Sequence, residues 1–279
     1  MARLVSEPFT DRAKLNVEAL GSLVATAVRM LDNALDVSAF ATVEQVAEAQ
    51  SKRRIGVGVT GVADALIMLG VKYGSDASVA LIDAWMQLIQ NEAYRASAHL
   101  AAERGAFPAY DPKRHLQSPA VKALDKDVRA LVEKHGLRNG TLTTIAPTGT
   151  TSLFAGNVSS GIEPVFSASY TRIITQPDGS KAEELVEDYA VRLHRRLKGA
   201  TAPLPEALVT VADLSPSEHV RMQAAAQKWV DSGISKTVNC PKDISFEAFQ
   251  DVYRQAYLQG CKGCTTYRPN EITGSVLAA

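Results

Sequence analysis

The chain contains 279 residues, a length that fits one large or two ordinary domains and allows a well-buried core. Apolar residues make up 46% and charged residues 22%, which excludes a disordered, collagen-like or coiled-coil protein. The 30 lysines and arginines balance 30 aspartates and glutamates, so zero net charge gives no global attraction to nucleic acid or anionic membranes, and any anion site must be local.

Cysteine content and hydropathy indicate a protein of the cytoplasm. The three cysteines are too few and too unevenly spaced for a disulfide framework, which fits a reducing compartment. No stretch approaches about 20 uninterrupted apolar residues, and the first residues lack the apolar core of a secretory signal. We therefore expect a cytoplasmic protein that binds neither a membrane nor a nucleic acid polymer.

Helical periodicity dominates the first half of the chain. Apolar residues spaced by three and four predict a long amphipathic helix that begins at a cap near Asp11 and runs to Leu35. Residues 55–61 alternate β-branched residues with glycine, which predicts a strand followed by a turn. Further helices are predicted at 63–69, 76–104 and about 121–135.

Strands alternate with helices in the second half. A short strand is predicted at 142–146, and residues 162–174 have strand composition before a turn signal at 177–179. Helices are predicted at about 182–197, 216–231 and 245–259, and short strands at 236–239 and 263–267. With no internal repeat, this alternation indicates one α/β domain over 1–279, built on a mostly parallel sheet or barrel.

The turn after the strand at 142–146 is the most informative segment for function. Its residues are Pro147, Thr148, Gly149, Thr150, Thr151 and Ser152. The backbone N–H groups and hydroxyls concentrated there, with the positive end of a following helix, are suited to bind phosphate. The segment is not a Walker loop, because it lacks that loop's lysine and glycine spacing. On composition alone, an ordinary turn stays the alternative.

Glycines and cysteines suggest two further sites that their context does not favour. Glycines at 56, 58 and 61 resemble a dinucleotide fingerprint, but no acidic residue ends a second strand about 20 residues later. Close backbone packing is therefore the better interpretation, and a dehydrogenase is not favoured. Cys261 and Cys264 form a CxxC pair, yet Cys240 is the only other cysteine and the histidines are scattered. A redox dithiol stays open, but we expect a structural role.

Three polar residues near predicted strands are candidates for the same opening. Glu163 stands at the start of an otherwise apolar strand, so it requires a partner or a function, and a salt bridge to an arginine is the structural alternative. Tyr267 and Arg268 end the last predicted strand and are expected to face the opening beside the turn.

Four ordered motifs resemble one enzyme family. They are RRIGVGVTGVAD at 53–64, APTGTTS at 146–152, GNVSSGIEP at 156–164 and GCKGCTTYRPN at 260–270. With the connecting helices, they make the chain closely similar to adenosylcobalamin-dependent (class II) ribonucleotide reductases over essentially its whole length. The resemblance implies half of a ten-stranded α/β barrel, with about five mostly parallel strands and surrounding helices.

The resemblance also implies a site. The loop that starts at Ala146 and ends at Ser152 would hold the phosphates of a ribonucleoside di- or triphosphate, with Glu163 beside it. Thr265 and Thr266 stand where the classes with a separate radical subunit have two relay tyrosines. Because threonine cannot carry a radical, the resemblance implies adenosylcobalamin as the cofactor of the complete enzyme.

Other residues of that family do not occur in this sequence. The Asn-x-Cys-x-Glu triplet of the radical cysteine is absent, and the order around Asn239 and Cys240 is wrong for it, so no residue is assigned to catalysis. Our leading interpretation is a C-terminal half, truncated or split, whose open barrel edge requires the N-terminal half or a second copy. The alternative is a catalytically inactive phosphate- or nucleotide-binding relic.

Overall fold

Helices and short strands alternate in the computed structural model, which describes residues 1–269 apart from the side chains at 172–175. The helices are α1 (Val17–Val37), α2 (Val43–Lys52), α3 (Val62–Met68), α4 (Asp76–Arg104), α5 (Pro112–His115), α6 (Pro119–Lys122), α7 (Lys126–His135), α8 (Gly149–Phe154), α9 (Tyr189–Lys198), α10 (Pro216–Gln227) and α11 (Phe246–Leu258). The strands are β1 (Val5–Ser6), β2 (Lys14–Leu15), β3 (Ser169–Thr175), β4 (Lys181–Glu187), β5 (Thr237–Asn239) and β6 (Thr265–Tyr267). Asn270, the last residue of the fourth motif, lies outside the described residues.

Helix α4 organises the main core. It has the bounds that the sequence predicts, because Ser75 caps its first turn and Gly105 follows its last residue. The helix packs against α1, α7 and α10. Its side chains Ile82, Met86 and Ile89 are fully buried, and each contributes roughly 1.5–3 kcal/mol on transfer from water.

Four extended segments lie side by side in parallel. Val57 is bridged to Thr143, Ile145 is bridged to Ile234, and β5 pairs with β6. The order across this row is 55–59, 141–145, 232–239 and 265–267. The row confirms an α/β fold with parallel strands, but residues 1–269 contain only two-stranded sheets and no closed barrel. The half-barrel stays a prediction.

Gly56 and Gly58 allow the first two segments of the row to approach closely. A Cβ atom on Gly58 would lie 2.5 Å from the carbonyl oxygen of Thr144, and one on Gly56 would lie 2.4 Å from the Thr144 methyl group. These distances are shorter than any real contact, so the positions require glycine. The backbone-packing interpretation of these glycines is confirmed.

Two predicted helices begin later than the sequence suggests. Helix α1 begins at Val17 because Asn16 caps it by accepting from the Ala19 amide at 2.9 Å, and the residues before it form the β1–β2 ribbon. Helix α9 begins at Tyr189, because residues 181–187 pair with β3 as strand β4. The expected helix at about 121–135 is divided into α6 and α7, and α2 was not predicted.

Other boundaries agree with the sequence. The hairpin of β3 and β4 turns at 176–179, where the Gly179 amide donates to the Gln176 carbonyl at 2.9 Å. Ser215 caps α10 in a reciprocal capping box with Glu218, and Pro216 occupies the first helical position. None of the helices within residues 1–269 has the length and apolar character needed to cross a bilayer.

Candidate functional site

A cavity of about 600 Å³ lies where the predicted phosphate bend, strands β5 and β6 and the β3–β4 hairpin meet. Its volume is within the range of small-molecule sites, about 300–1,000 Å³. The lining residues are Gly149, Ser152, Leu153, Asn157, Val158, Ser159, Ser160, Glu163, Pro164, Val165, Phe166, Ser167, Tyr170, Asp188, Val211, Thr237, Asn239, Thr265, Thr266 and Tyr267. The lining therefore combines apolar and aromatic side chains with nine hydroxyl-bearing residues and two carboxyl groups.

The bend at 147–152 is on the surface and borders this cavity. Helix α8 begins within the bend, and its first intrahelical bond runs from the Ser152 amide to the Thr148 carbonyl at 2.8 Å. The amides of Gly149, Thr150 and Thr151 find no acceptor within the described part of the chain. Ala146, Pro147 and these three residues are exposed, whereas Ser152 is buried.

Two hydroxyls of the bend hold its shape. Thr148 has a left-handed backbone with φ 53°, and its Oγ1 accepts a hydrogen bond from the Gly161 amide at 2.8 Å. The Oγ of Ser152 lies 3.0 Å from the Oγ of Ser160. The bend is therefore joined at both ends to the segment 160–161, which leads directly into Glu163.

Glu163 forms an ion pair with a lysine, so the expectation of an arginine partner is wrong. Its Oε2 accepts from Lys236 Nζ at 2.7 Å, and its Oε1 accepts from the Thr237 amide at 2.6 Å. The Lys236 side chain is completely buried, and the Glu163 side chain is 23% exposed, toward the cavity that it lines. The pair joins the segment 160–164 to the start of β5.

His219 is a second buried partner of Lys236. Its Nδ1 lies 2.8 Å from Lys236 Nζ, and burial together with the lysine charge lowers the pKa of His219 to about 3. A neutral ring that accepts at Nδ1 carries its proton on Nε2, and this buried Nε2 finds no partner among residues 1–269. The ring of Tyr73 lies 5.9 Å from the same ammonium. Burial lowers the pKa of Lys236, and Glu163 opposes that shift.

Strand β6 places Thr265, Thr266 and Tyr267 along the cavity wall. Tyr267 thus lies on the same cavity as Gly149 and Ser152, whereas Arg268 follows the strand and is not among the lining residues. The hydroxyl of Thr266 lies 2.9 Å from the hydroxyl of Tyr253 on α11.

An aromatic pair in the cavity wall was not predicted. Phe166 and Tyr170 pack edge to face with ring centroids 5.8 Å apart, and both line the cavity. The Tyr170 hydroxyl donates to Asn157 Oδ1 at 3.0 Å, while the Asn157 amide group donates to the Glu187 carbonyl at 2.8 Å. The sequence predicts only a strand for this segment, because Phe166 and Tyr170 come to the same cavity as the bend only through tertiary packing.

Asp64 and Asp188 form a buried carboxyl pair, of which Asp188 lines the cavity. The Ala190 amide donates to Asp64 at 3.0 Å and to Asp188 at 2.9 Å, so the two carboxyl groups share one donor. Asp64 also accepts from the Ser159 amide at 2.7 Å. Burial first, and the Asp64 charge second, raise the pKa of Asp188 to about 8, and burial raises the pKa of Asp64.

The cysteines have no features of a reactive centre. All three are free thiols, and burial together with the neighbouring Cys264 raises the pKa of Cys261 to about 11, away from the thiolate that redox chemistry requires. Cys240 is buried, and its Sγ lies 3.7 Å from the Val238 carbonyl oxygen. Within residues 1–269, no group of three metal-ligating side chains comes together.

Comparisons with known proteins point to one family. The family model described as ribonucleotide reductase, barrel domain, matches residues 1–267. A vitamin B12-dependent ribonucleoside-diphosphate reductase of Mycobacterium tuberculosis is 34% identical over 298 aligned residues, which cover 100% of this chain and 40% of the relative. The corresponding protein of Thermoplasma acidophilum is 35% identical over 294 residues, with 99% of this chain and 36% of the relative covered.

More distant relatives extend the same pattern. A vitamin B12-dependent ribonucleotide reductase of Streptomyces coelicolor is 28% identical over 328 aligned residues, which cover 100% of this chain and 34% of the relative. The chain therefore spans 40% or less of the length of these three relatives.

Proposed function

Because the chain belongs to the ribonucleotide reductase barrel-domain family, we propose that it supplies the substrate-phosphate loop and part of the barrel wall of a ribonucleotide reductase. The complete enzyme converts ribonucleoside diphosphates or triphosphates to 2′-deoxyribonucleotides. The bend at 147–152 carries this proposal, because it exposes three amides, at 149–151, beside a cavity of nucleotide size. Such amides at a helix start attract phosphate oxygens.

The hydroxyl residues of the bend have two roles, one structural and one in phosphate binding. Thr148 and Ser152 use their hydroxyls within the protein, so their role is to hold the shape of the bend. Thr150 and Thr151 are exposed and, within the described part of the chain, engage no side-chain hydrogen bond. We assign the direct phosphate contacts to these two hydroxyls and to the amides at 149–151. A Cβ on Gly149 would meet nothing within 4 Å, so a ligand has free access there.

Adenosylcobalamin is the cofactor that we propose for the complete enzyme, in line with the names of the relatives. A cavity of about 600 Å³ suits a nucleotide, but a corrin ring with its nucleotide tail is much larger than a drug-sized ligand. None of the five histidines, all of which are described, lines this cavity, so the cavity offers no histidine ligand to cobalt. The described residues therefore do not form a cobalamin site by themselves, and we assign none of them to the cofactor, which supplies the radical chemistry.

The radical cysteine is proposed to reside on a part of the enzyme outside these 279 residues. The sequence contains no Asn-x-Cys-x-Glu triplet, and the chain spans only 40% of the Mycobacterium tuberculosis relative. We propose that the N-terminal half of the reductase, or a second copy of this chain, covers the open edge of the parallel row. A cytoplasmic location stays a prediction.

Titration of the full chain with pyrophosphate and with ADP tests the phosphate loop. Gly149→Val should fold, because its site is open and its φ is not positive, yet its side chain covers the approach to the amides. Gly233→Val is the matched control, since that site is equally open and does not line the cavity.

We expect pyrophosphate binding to weaken about tenfold or more in Gly149→Val, a loss of about 1.4 kcal/mol, and to stay unchanged in Gly233→Val. Equal affinity in the two variants would remove the bend from the phosphate site. The relic alternative is distinguished by turnover, because a relic would bind nucleotide but stay inactive when combined with the rest of a reductase.

A further inference from the structure

A second cavity, of about 440 Å³, lies at the opposite end of the parallel row from the bend. Its lining residues are Lys52, Arg54, Phe107, Ala109, Asp111, Arg114, His115, Ser118, Gly140 and Thr141. Arg54 directly precedes the row segment 55–59, and Thr141 begins the segment 141–145, whereas the bend follows that segment at its other end. An extended segment of this length spans about 16 Å, so one small anion cannot contact both places.

The walls of this cavity are held by close packing. The Gly140 amide donates to the Lys52 carbonyl at 2.9 Å, and a Cβ atom on Gly140 would lie 2.6 Å from that carbonyl oxygen, so only glycine fits there. The buried Phe107 ring packs edge to face on the His115 ring, with centroids 5.3 Å apart. The protein itself therefore fixes the shape of the cavity, and binding requires little further ordering of the chain.

Positive charge dominates the lining. Lys52, Arg54 and Arg114 contribute three cations, and Asp111 is the only carboxyl group among the described lining residues. The Asp111 Oδ1 caps α5, where it accepts from the backbone amides of Lys113 at 2.9 Å and Arg114 at 3.3 Å. Because the whole chain has zero net charge, this excess is local and attracts an anion to the cavity. We call this cavity the basic pocket.

The three cations of the basic pocket are weakly engaged within the protein. A single oxygen, Glu48 Oε1, lies 2.6 Å from Lys52 Nζ and 3.1 Å from Arg54 Nη1, and these two cationic side chains are 39% and 56% exposed. Exposed pairs of this kind contribute about 0–1 kcal/mol, so an anion can replace Glu48 at little cost. Within residues 1–269, the Arg114 guanidinium forms no hydrogen bond or ion pair with another residue.

We propose that the basic pocket is a second anion site, which binds a phosphorylated small molecule that carries at least two negative charges. Arginine is suited to this ligand, because its planar guanidinium can donate two parallel hydrogen bonds to phosphate oxygens. The volume of about 440 Å³ is within the range of small-molecule sites. The inference does not depend on the proposed function, since the basic pocket shares no lining residue with the cavity at the bend.

NMR spectra of the histidine rings, recorded while the full chain is titrated with tripolyphosphate, test the assignment. The chain has five histidines, of which His115 lines the basic pocket, whereas His99 is exposed on α4 and lines neither cavity. His115→Gln identifies the His115 signal. The titration is repeated in a chain with Gly149→Val, in which the bend should no longer bind phosphate, and with citrate, which replaces phosphate groups by carboxylates.

Arg114→Gln removes one cation from the basic pocket, and a double variant with Arg54→Gln removes two. Both arginines are exposed, so these variants should fold. Arg254→Gln is the matched control, since Arg254 is an exposed arginine in α11 that lines neither cavity. Thermal melts followed by circular dichroism verify that each variant is folded.

We expect tripolyphosphate to shift the His115 signal to saturation and to leave the His99 signal in place, both with and without Gly149→Val. The affinity read from the His115 shift should fall about tenfold in Arg114→Gln, about a hundredfold in the double variant and less than about twofold in Arg254→Gln. Citrate should bind more weakly than tripolyphosphate.

Three results would overturn the inference: a His115 signal that does not move, an affinity that falls equally in Arg114→Gln and Arg254→Gln, or tighter binding of citrate. Tripolyphosphate binding that disappears with Gly149→Val would place the phosphate at the bend alone, so the proposed function would stand and this inference would fail. A saturable His115 shift in a chain whose bend binds no pyrophosphate would support the basic pocket and overturn the phosphate loop.

Discussion

Two carboxylates in this chain, Asp32 and Glu163, bind cations in different ways. Asp32 in α1 is fully buried and accepts from Arg53 Nε at 2.9 Å, from Asn139 Nδ2 at 3.0 Å and from Arg138 Nε at 3.3 Å. None of these residues lines the 600 Å³ cavity. Glu163 accepts only two hydrogen bonds from the protein and faces that cavity.

The difference teaches how to separate a structural ion pair from a functional one. The Asp32 cluster joins α1, the end of α2 and the segment before 141, and its redundant donors fill the acceptor sites of the carboxylate. The Glu163 cluster leaves acceptor sites open where a ligand fits. A third pair, Asp64 with Asp188, has a shared amide donor in place of a cation.

The largest loss of stability is expected when Asp32 is replaced. Asp32→Ala leaves the buried guanidinium of Arg53 without its main partner, and we expect a loss of about 3–5 kcal/mol in the free energy of unfolding. Urea denaturation measures this loss. A decrease below about 1 kcal/mol would mean that water or Asp36 replaces the lost carboxylate, and the contrast between the two clusters would disappear.

A smaller loss of stability is expected when Lys236 alone is replaced. Lys236→Met leaves Glu163 without its cation, but that side chain is 23% exposed and can be partly hydrated, so we expect a loss of about 1–3 kcal/mol. Adding Glu163→Leu should return the stability to near that of the unaltered chain, because no unpaired charge remains. A double variant less stable than the single one would show that the pair contributes net stability.

The carboxyl pair predicts a pH dependence of opposite sign to that of a salt-bridged carboxylate. The pKa of Asp188 is raised to about 8 in the folded state, so the stability that this group contributes is fully present below the unfolded value near 3.8 and is lost as pH rises to about 8. Asp188→Asn removes this loss. We expect its stability relative to the unaltered chain to increase by about 1–2 kcal/mol between pH 6.5 and 8.

Denaturation of both chains at each pH measures this difference. The comparison cancels the contributions of other groups, such as the Met1 amine, whose pKa burial lowers to about 6. A difference that stays constant with pH would show that Asp188 is ionised throughout.

The smallest loss of stability is expected at Asp36, the exposed carboxylate that pairs with Arg53 in the Asp32 cluster. Asp36 accepts from Arg53 Nη1 at 2.8 Å, but its side chain is 46% exposed. Asp36→Asn should therefore cost less than about 1 kcal/mol, and the cost should shrink further in high salt. Thermal melts at low and high ionic strength provide the measurement, and a salt-independent cost would place Asp36 with the buried core of the cluster.

Local signals explain which parts of the fold were predictable. Helix α4 has a long apolar periodicity with Ser75 before it and Gly105 after it, and its bounds agree with the prediction. Strand β4 has the sequence KAEELVE, whose alanine, leucine and glutamates favour a helix, and only its pairing with β3 makes it a strand. Tertiary pairing of this kind leaves no periodic trace in the sequence.

The candidate site also contains residues that could be predicted from local sequence and residues that could not. The bend at 147–152 was visible because glycine, proline and hydroxyl residues cluster within a few positions. Lys236 was missed, since its burial depends on Glu163, 73 residues away, and on His219 in α10. A usable signal was present, however, because Lys236 stands two positions before Val238 in the predicted strand at 236–239. A lysine on the same strand face as a buried apolar residue requires a buried counter-ion.

Thr148 gives the bend a property that matters before any ligand arrives. A β-branched residue at φ 53° stores backbone strain of about 1–3 kcal/mol, and its hydroxyl bond to Gly161 helps to hold that geometry. The bend is thus preorganised, and phosphate binding needs little further ordering of the chain. Glycine at this position would relax the strain but lose the hydroxyl bond to Gly161. The empty bend would then sample many conformations and bind phosphate more slowly.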